Sequence, residues 1–378
     1  MKIFKVWPLL VMYMACSLAW AQDPDDPSGG GNSTIAPKYA NEFLKIGIGA
    51  RALGMGNTQA AIATDVTAGY WNPAGLTADG APLNPEVALM HASYFANIAN
   101  YNYGAIAFPI DSTGDRRFAA SFIRLGIDDI PNTLDLIRPD GSFDYAAVSS
   151  FSETSLAVLL SYSWRVKSIK GLTMGTNFKV IYRGAGNFLT AWGVGLDVGA
   201  RYQKGRFSAG LMLQDITNTL TAWTFNTEVF EQDFINTGNE VPVNSIELTR
   251  PSARIGLAYD LKLAKKLSLL LSTDTDVYFD GNRSSFLIKG GGVSIDPHAG
   301  MELALMNNEY RKVAFLRGGF YNLQQDIDTD GEETTSLFPT VGAGVVIKNF
   351  QLDYALSNIG NLSQNLHSHV ISVKFSFQ

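Results

Sequence analysis

From Thr154 to Arg165 apolar residues recur at every second position. Leu156, Val158, Leu160, Tyr162 and Trp164 share one face, and Ser155, Ala157, Ser161, Ser163 and Arg165 the other. Side chains alternate across an extended chain, so a period of two predicts a strand. The stretches from Leu172 to Arg183 and from Ala191 to Gln203 repeat the pattern, with Trp192, Val194 and Leu196 opposite Gly193, Gly195 and Asp197. In a soluble sandwich the polar face meets bulk water and should be rich in Lys and Glu. Here that face is small and Gly-rich, which favours a transmembrane barrel with lipid outside and a packed lumen inside.

The same reading predicts fourteen strands, near 86–95, 102–110, 117–127, 154–165, 172–183, 191–203, 206–214, 251–261, 267–278, 298–306, 312–322, 339–348, 350–357 and 367–377. Segment 285–295 is ambiguous. Counted as a strand, it puts the acidic loop after Asn322 among the short turns; assigned to a loop, it leaves every long connection on one side. Fourteen is even, as expected of a bacterial barrel with both ends in the periplasm. The long outer loops are then 128–151, 215–249, 280–295, 324–337 and 358–366. The prediction is an all-β transmembrane antiparallel barrel spanning 84–378.

One long stretch, Phe43 to Leu76, obeys neither period. Gly47, Gly49, Gly54, Gly56, Gly69 and Gly75 stand among many alanines, so the backbone can turn sharply and approach another surface closely. Residues 38–83 therefore read as an N-terminal plug inside the lumen, with Arg51 and Asp65 its only charges between Lys45 and Asp79. An unpaired buried charge is costly, so these two should find partners and anchor the plug. Gly54 and Gly56 should let the chain bend, and Asn72-Pro73-Ala74 should turn it toward the first strand.

The ends place the chain in a cell. Lys2 and Lys5 precede the apolar run Val6 to Trp20, and Ala19-Trp20-Ala21 suits cleavage before Gln22, so residues 1–21 read as a secretory signal. Residues 22–37 are rich in Asp, Pro, Gly and Ser and read as a flexible periplasmic tail. Cys16 is the sole cysteine and lies in the signal; a lipoprotein anchor there is the rival reading, against which Tyr13-Met14-Ala15 lacks the usual leucine. Hydrophobic content is 46%, yet the mature chain has no apolar run of about 18 residues and so no transmembrane helix. With 35 acidic against 29 basic residues, nucleic acid is not an expected partner. The expected location is the outer membrane, with its lipids as partners.

Gly49 to Leu76 resembles the N-terminal region of the PorV/PorQ family of Bacteroidota outer-membrane proteins, and more distantly the plug of FadL-type transporters, whose Asn-Pro-Ala turn is matched by Asn72, Pro73 and Ala74. The resemblance implies a FadL-like barrel of fourteen strands with an N-terminal hatch. It also implies a docking role for secreted or surface proteins in or beside the type IX secretion system. The alternative is a FadL-like channel for uptake of small hydrophobic compounds.

Two constellations could carry chemistry. Asp326, Asp328, Asp330 and Gly331 form D-x-D-x-D-G, which aims alternate carboxylates at one hard cation such as calcium. The twelfth position is Leu337 where a calcium loop needs Glu, so a solvated acidic loop competes with a weak site. In the outer loop, Trp223, Phe225, Phe230 and Phe234 are dense enough to line a ligand entry, to contact a partner or to pack into the mouth. Four histidines show no triad or metal spacing, and no enzymatic activity or resident cofactor is expected.

Overall fold

The computed structural model describes residues 35–37, 41–94, 97–136, 138, 141–229, 234, 240–283, 285–327, 333–357 and 368–377. The signal segment and Cys16 lie outside them. Fourteen antiparallel strands form the barrel. They are β1 (Glu86–Tyr94), β2 (Ala99–Pro109), β3 (Arg116–Asn132), β4 (Ser149–Arg165), β5 (Leu172–Ala185) and β6 (Leu189–Lys204). Next come β7 (Phe207–Gln214, resuming as Thr219–Phe225) and β8 (Ser245–Thr249, resuming as Ser252–Ala264). The rest are β9 (Leu267–Tyr278), β10 (Val293–Met306), β11 (Lys312–Ile327), β12 (Glu333–Ile347), β13 (Phe350–Ser357) and β14 (Ser368–Ser376). β14 pairs with β1, with Val373 opposite Leu89, so the sheet closes on itself and has no free edge.

The alternation has the expected sense. On β4, Ser155, Ala157, Leu159, Ser161 and Ser163 are buried while Val158 and Leu160 face outward; on β6, Trp192 is 61% exposed to the lipid side. Segment 285–295 does not span. Ile288–Gly290 folds back on Val293–Ile295 as a small hairpin, and β10 starts earlier than its pattern suggests.

Several strands run past their predicted outer ends. Thr219–Phe225 and Ser245–Thr249, expected in a loop, pair with each other, and Thr219–Phe225 also pairs with β6. Above the bilayer the outer face no longer needs apolar residues, so alternation fades while the backbone ladder continues. β7 is interrupted at 215–218, where Asp215 and Asn218 take left-handed conformations. The bulge turns the Asp215 carboxylate inward to accept from Lys179 Nζ at 2.6 Å.

Residues 35–37, the last of the segment read as a periplasmic tail, lie at the outer side of the barrel. Ile35–Pro37 runs parallel to Ile246–Leu248 at the outer end of β8, so the chain enters the lumen from the long-loop side. It then descends to β1, whose first residue, Glu86, sits at the short-turn end.

Candidate functional site

The plug has little regular structure. Its two α-helices, Ala50–Leu53 and Ala68–Trp71, are single turns that could not persist alone and depend on the wall for order. One side is apolar: Ile48, Leu53, Trp71 and Leu76 form a continuous core with Tyr101, Ile123, Leu159 and Ile181 of β2 to β5. The other side presses directly on backbone. Three glycine pairs stand in register across neighbouring strands: Gly175 with Gly199, Gly210 with Gly256, and Gly300 with Gly319. A Cβ at Gly300 would lie 2.2 Å from the Met55 carbonyl oxygen, and one at Gly210 2.0 Å from that of Ala60. Gly56 of the plug, at φ +60°, would bring a Cβ within 2.4 Å of the Phe320 carbonyl oxygen. These wall glycines make room for the plug.

The seam between plug and wall is dense in ion pairs and hydrogen bonds. Arg51 makes a forked contact with Glu302 at 2.8 and 3.1 Å. Glu302 also accepts from Arg317 at 2.8 Å, and Arg317 reaches Asp353 at 2.7 Å. Asp65 receives Lys374 Nζ at 2.6 Å. Burial alone would raise the Asp65 carboxyl, but Lys374 and Arg51 outweigh it and hold it well below the usual carboxylate range. Asp274 accepts the amides of Gln59 and Ala60 at 2.8 and 2.9 Å, and Arg201 donates to the Ala61 carbonyl at 2.7 Å. Asn72 donates to the Ala60 and Ala200 carbonyls and accepts from Ala74, so it fastens the turn before Pro73 to β6.

The other charged side chains along the strands divide by height. Lys179 bridges Asp197 and Asp215 at 2.7 and 2.6 Å, and Arg254 binds Asp276 at 2.5 Å while lying 4.9 Å over the Trp71 ring. Arg183 stacks on Trp223 near the mouth, and Arg165 holds Asp79 and Asp115 at the short-turn rim. Asp260 belongs to no luminal layer; it is half-buried and 3.8 Å from Lys312.

Two cavities open on the outer side. The first, about 360 Å³, is an apolar rim pocket lined by Phe151, Phe188, Leu189, Phe225 and Phe234. Two of the four aromatic residues singled out from sequence thus meet there. Trp223 is on β7 instead, donating to Glu247 at 3.0 Å, and Phe230 lies outside the described residues. The second, a vestibule of about 520 Å³ above the plug, has walls that include Tyr278, Phe286, Tyr321 and Phe338 and a floor that includes Asn57, Asp276, Asp296 and His298. Asp328 and Asp330 of the acidic motif lie outside the described residues, and of Asp326 only the backbone, on β11, is described.

Among solved structures, the whole plugged barrel is similar to the toluene transporter TbuX of Ralstonia pickettii, with a TM-score of 0.50 at 15% identity, over 88% of this chain and 99% of that one. The fold is that of the FadL-like outer-membrane barrels. The monoaromatic hydrocarbon channel CymD gives a TM-score of 0.53 at 13% identity, over 88% of this chain and 98% of that one. A Pseudomonas aeruginosa FadL homologue gives 0.50 at 11% identity, over 87% and 98%. At these identities the likeness shows the FadL-like fold, with nothing specific to PorV or PorQ. No protein-family model matches the chain. No curated protein matches it either.

Sequence reasoning missed Glu302, Asp353, Lys374, Asp296 and His298 as plug or vestibule partners. It also missed the glycine pairs, which had a signal: glycines at inward positions of adjacent predicted strands.

Proposed function

We propose that the protein is a plugged outer-membrane channel that admits small, largely apolar compounds. The supporting observation is the pair of aromatic-lined cavities on the outer side of a FadL-like barrel whose N-terminal segment packs against the inner wall. Concave, mostly apolar pockets with a few convergent polar groups are the usual form of small-molecule sites. A compound captured at the rim by Phe188, Phe225 and Phe234 would pass to the vestibule, and its onward passage would require the plug to shift. The matched structures named as a toluene transporter and a monoaromatic hydrocarbon channel favour aromatic compounds as the first to test. Radiolabelled toluene should enter faster when the protein is expressed in a bacterial host stripped of its own FadL-like channels. Uptake no faster than in the empty host rejects the proposal.

A second reading, docking of secreted or surface proteins beside a type IX translocon, draws on the Gly49–Leu76 resemblance. It is favoured by Phe143 and Tyr145, stacked on each other and 62% and 77% exposed on an outer loop. Affinity purification from native membranes tests it: stoichiometric recovery of a translocon or secreted protein supports docking, and a lone barrel removes it.

A further inference from the structure

Outside the barrel, at its short-turn end, a cavity of about 480 Å³ lies between the turn that joins β2 to β3 and the turn that joins β4 to β5. Asp111, Asp115, Arg116, Trp164 and Lys167 are among the residues that line it. Arg117 and Ser163 settle which face of the sheet this is. Both point inward to the plug, Arg117 donating to the Leu76 carbonyl at 3.4 Å and Ser163 meeting the Thr77 hydroxyl at 2.8 Å. Side chains alternate, so Arg116, Phe118, Tyr162 and Trp164 stand on the lipid face.

An aromatic girdle runs across that face. Phe118 is opposite Phe108 on β2 and Tyr162 on β4. The Phe108 and Phe118 ring centres are 5.6 Å apart, and those of Tyr162 and Trp164 5.7 Å. Such girdles sit where acyl chains meet headgroups. Arg116, opposite Trp164, is two residues nearer the turns than Phe118 and so stands on the headgroup side.

The charges beyond the girdle are unequally used within the protein. Arg165 holds Asp79 at 2.6 Å, and Arg165 and Lys167 flank Asp115 at 3.4 and 3.5 Å. Asp111 Oδ1 fastens its turn, accepting from the Asp115 amide at 2.9 Å and the Arg116 amide at 3.4 Å. Among the described residues, Asp111 Oδ2 and the exposed Arg116 guanidinium have no partner, and they do not pair with each other. A free cation and a free carboxylate oxygen thus adjoin, held together by the Arg116 amide contact. With Asp79 counted, Arg116, Arg165 and Lys167 face three carboxylates, so the cavity carries no net charge. It complements a ligand that bears both signs rather than one.

We propose that this cavity holds the headgroup of phosphatidylethanolamine from the periplasmic leaflet. The phosphate lies on Arg116 and Lys167, the ammonium on Asp111 Oδ2, and the acyl chains over Phe118 and Phe108. Guanidinium and ammonium groups are donors to phosphate, and a primary ammonium is a donor to carboxylate. Phosphatidylcholine keeps the phosphate, but its methylated nitrogen has no N–H. Phosphatidylglycerol keeps the phosphate and has no cation. The inference rests on the barrel's place in an outer membrane and is independent of what passes through its lumen.

Native mass spectrometry of the whole detergent-solubilised protein, titrated separately with these three lipids carrying identical chains, tests it. The contacts are partly exposed, so one copy of phosphatidylethanolamine should bind about three- to fivefold more tightly than either of the others. Asp111→Asn keeps an oxygen for the turn and should bring phosphatidylethanolamine down to the level of phosphatidylcholine. Arg116→Gln should weaken all three, and Lys204→Gln, beside a different short turn, none of them. Equal binding of the three, tighter phosphatidylglycerol, no retained lipid, or a loss in Lys204→Gln as large as that in Arg116→Gln overturns the inference. The unaltered protein alone decides among the three lipids, so a variant that fails to fold leaves the test intact.

Discussion

The plug seam and the vestibule floor lie a few residues apart along the same strand, yet their polar groups are bonded to different degrees. At the seam Arg51, Glu302, Arg317 and Asp353 form one chain of contacts, and Asp65 closes on Lys374. At the floor Asp296 has the Leu323 amide and the His298 ring beside it, and Asn57 Oδ1 is buried without a partner. A low-dielectric interior rewards completed networks and penalises partial ones. The seam therefore reads as structure that holds the plug to the wall, and the floor as the more sparsely bonded face of the plug's surroundings.

The largest expected effect is at the seam. Glu302→Ala strands Arg51 and leaves Arg317 with Asp353 alone, which should cost roughly 3–5 kcal/mol. Urea unfolding of the detergent-solubilised barrel measures it; a loss under about 1 kcal/mol would mean that the seam is hydrated rather than sealed.

Next is the glycine contact. Gly300→Leu places a side chain where Met55 already stands, and overpacking of this kind costs about 1–3 kcal/mol. Moving the plug relieves it, so ion conductance in planar bilayers should rise above that of the parent. Unchanged conductance would mean that the wall, not the plug, yields.

Smaller still is the response to acid. The folded carboxyl of Asp65 is depressed, so its anchoring contribution is full above the ordinary carboxylate value of about 4 and is lost only as pH falls through the lower folded value. Conductance should stay low down to about pH 4 in the parent, and be raised at all pH values in Asp65→Asn. Opening of the parent near pH 5 would break the argument.

The smallest effect on stability is at the floor. Asp296→Asn removes a carboxylate that has no Arg or Lys partner among the described residues and should change unfolding free energy by no more than about 1 kcal/mol, in contrast with Glu302→Ala. A loss as large as that of Glu302→Ala would erase the distinction between seam and floor.

The barrel was legible because two solvents impose it. Lipid outside and a packed lumen inside force Leu156, Val158 and Leu160 to alternate with Ser155, Ala157 and Ser161, and loop parity then sets the strand count. Where the strands rise clear of lipid the constraint lapses, so Trp223 and Phe225 read as loop although they sit on β7. The plug was legible as a Gly/Ala stretch, but its partners were not. Arg51 meets Glu302 and Asp65 meets Lys374 across 251 and 309 residues, and only barrel closure brings them together. The direction of residues 35–37 had no pattern to reveal it, because so little of the preceding segment is apolar.

The account rests on a lumen closed by a removable plug. Its most direct test is planar-bilayer conductance of the intact protein beside a chain lacking residues 43–69. The intact protein should be nearly silent and the shortened one, still folded by its heat-modifiable migration, should conduct ions steadily. A folded, shortened barrel as silent as its parent would contradict it.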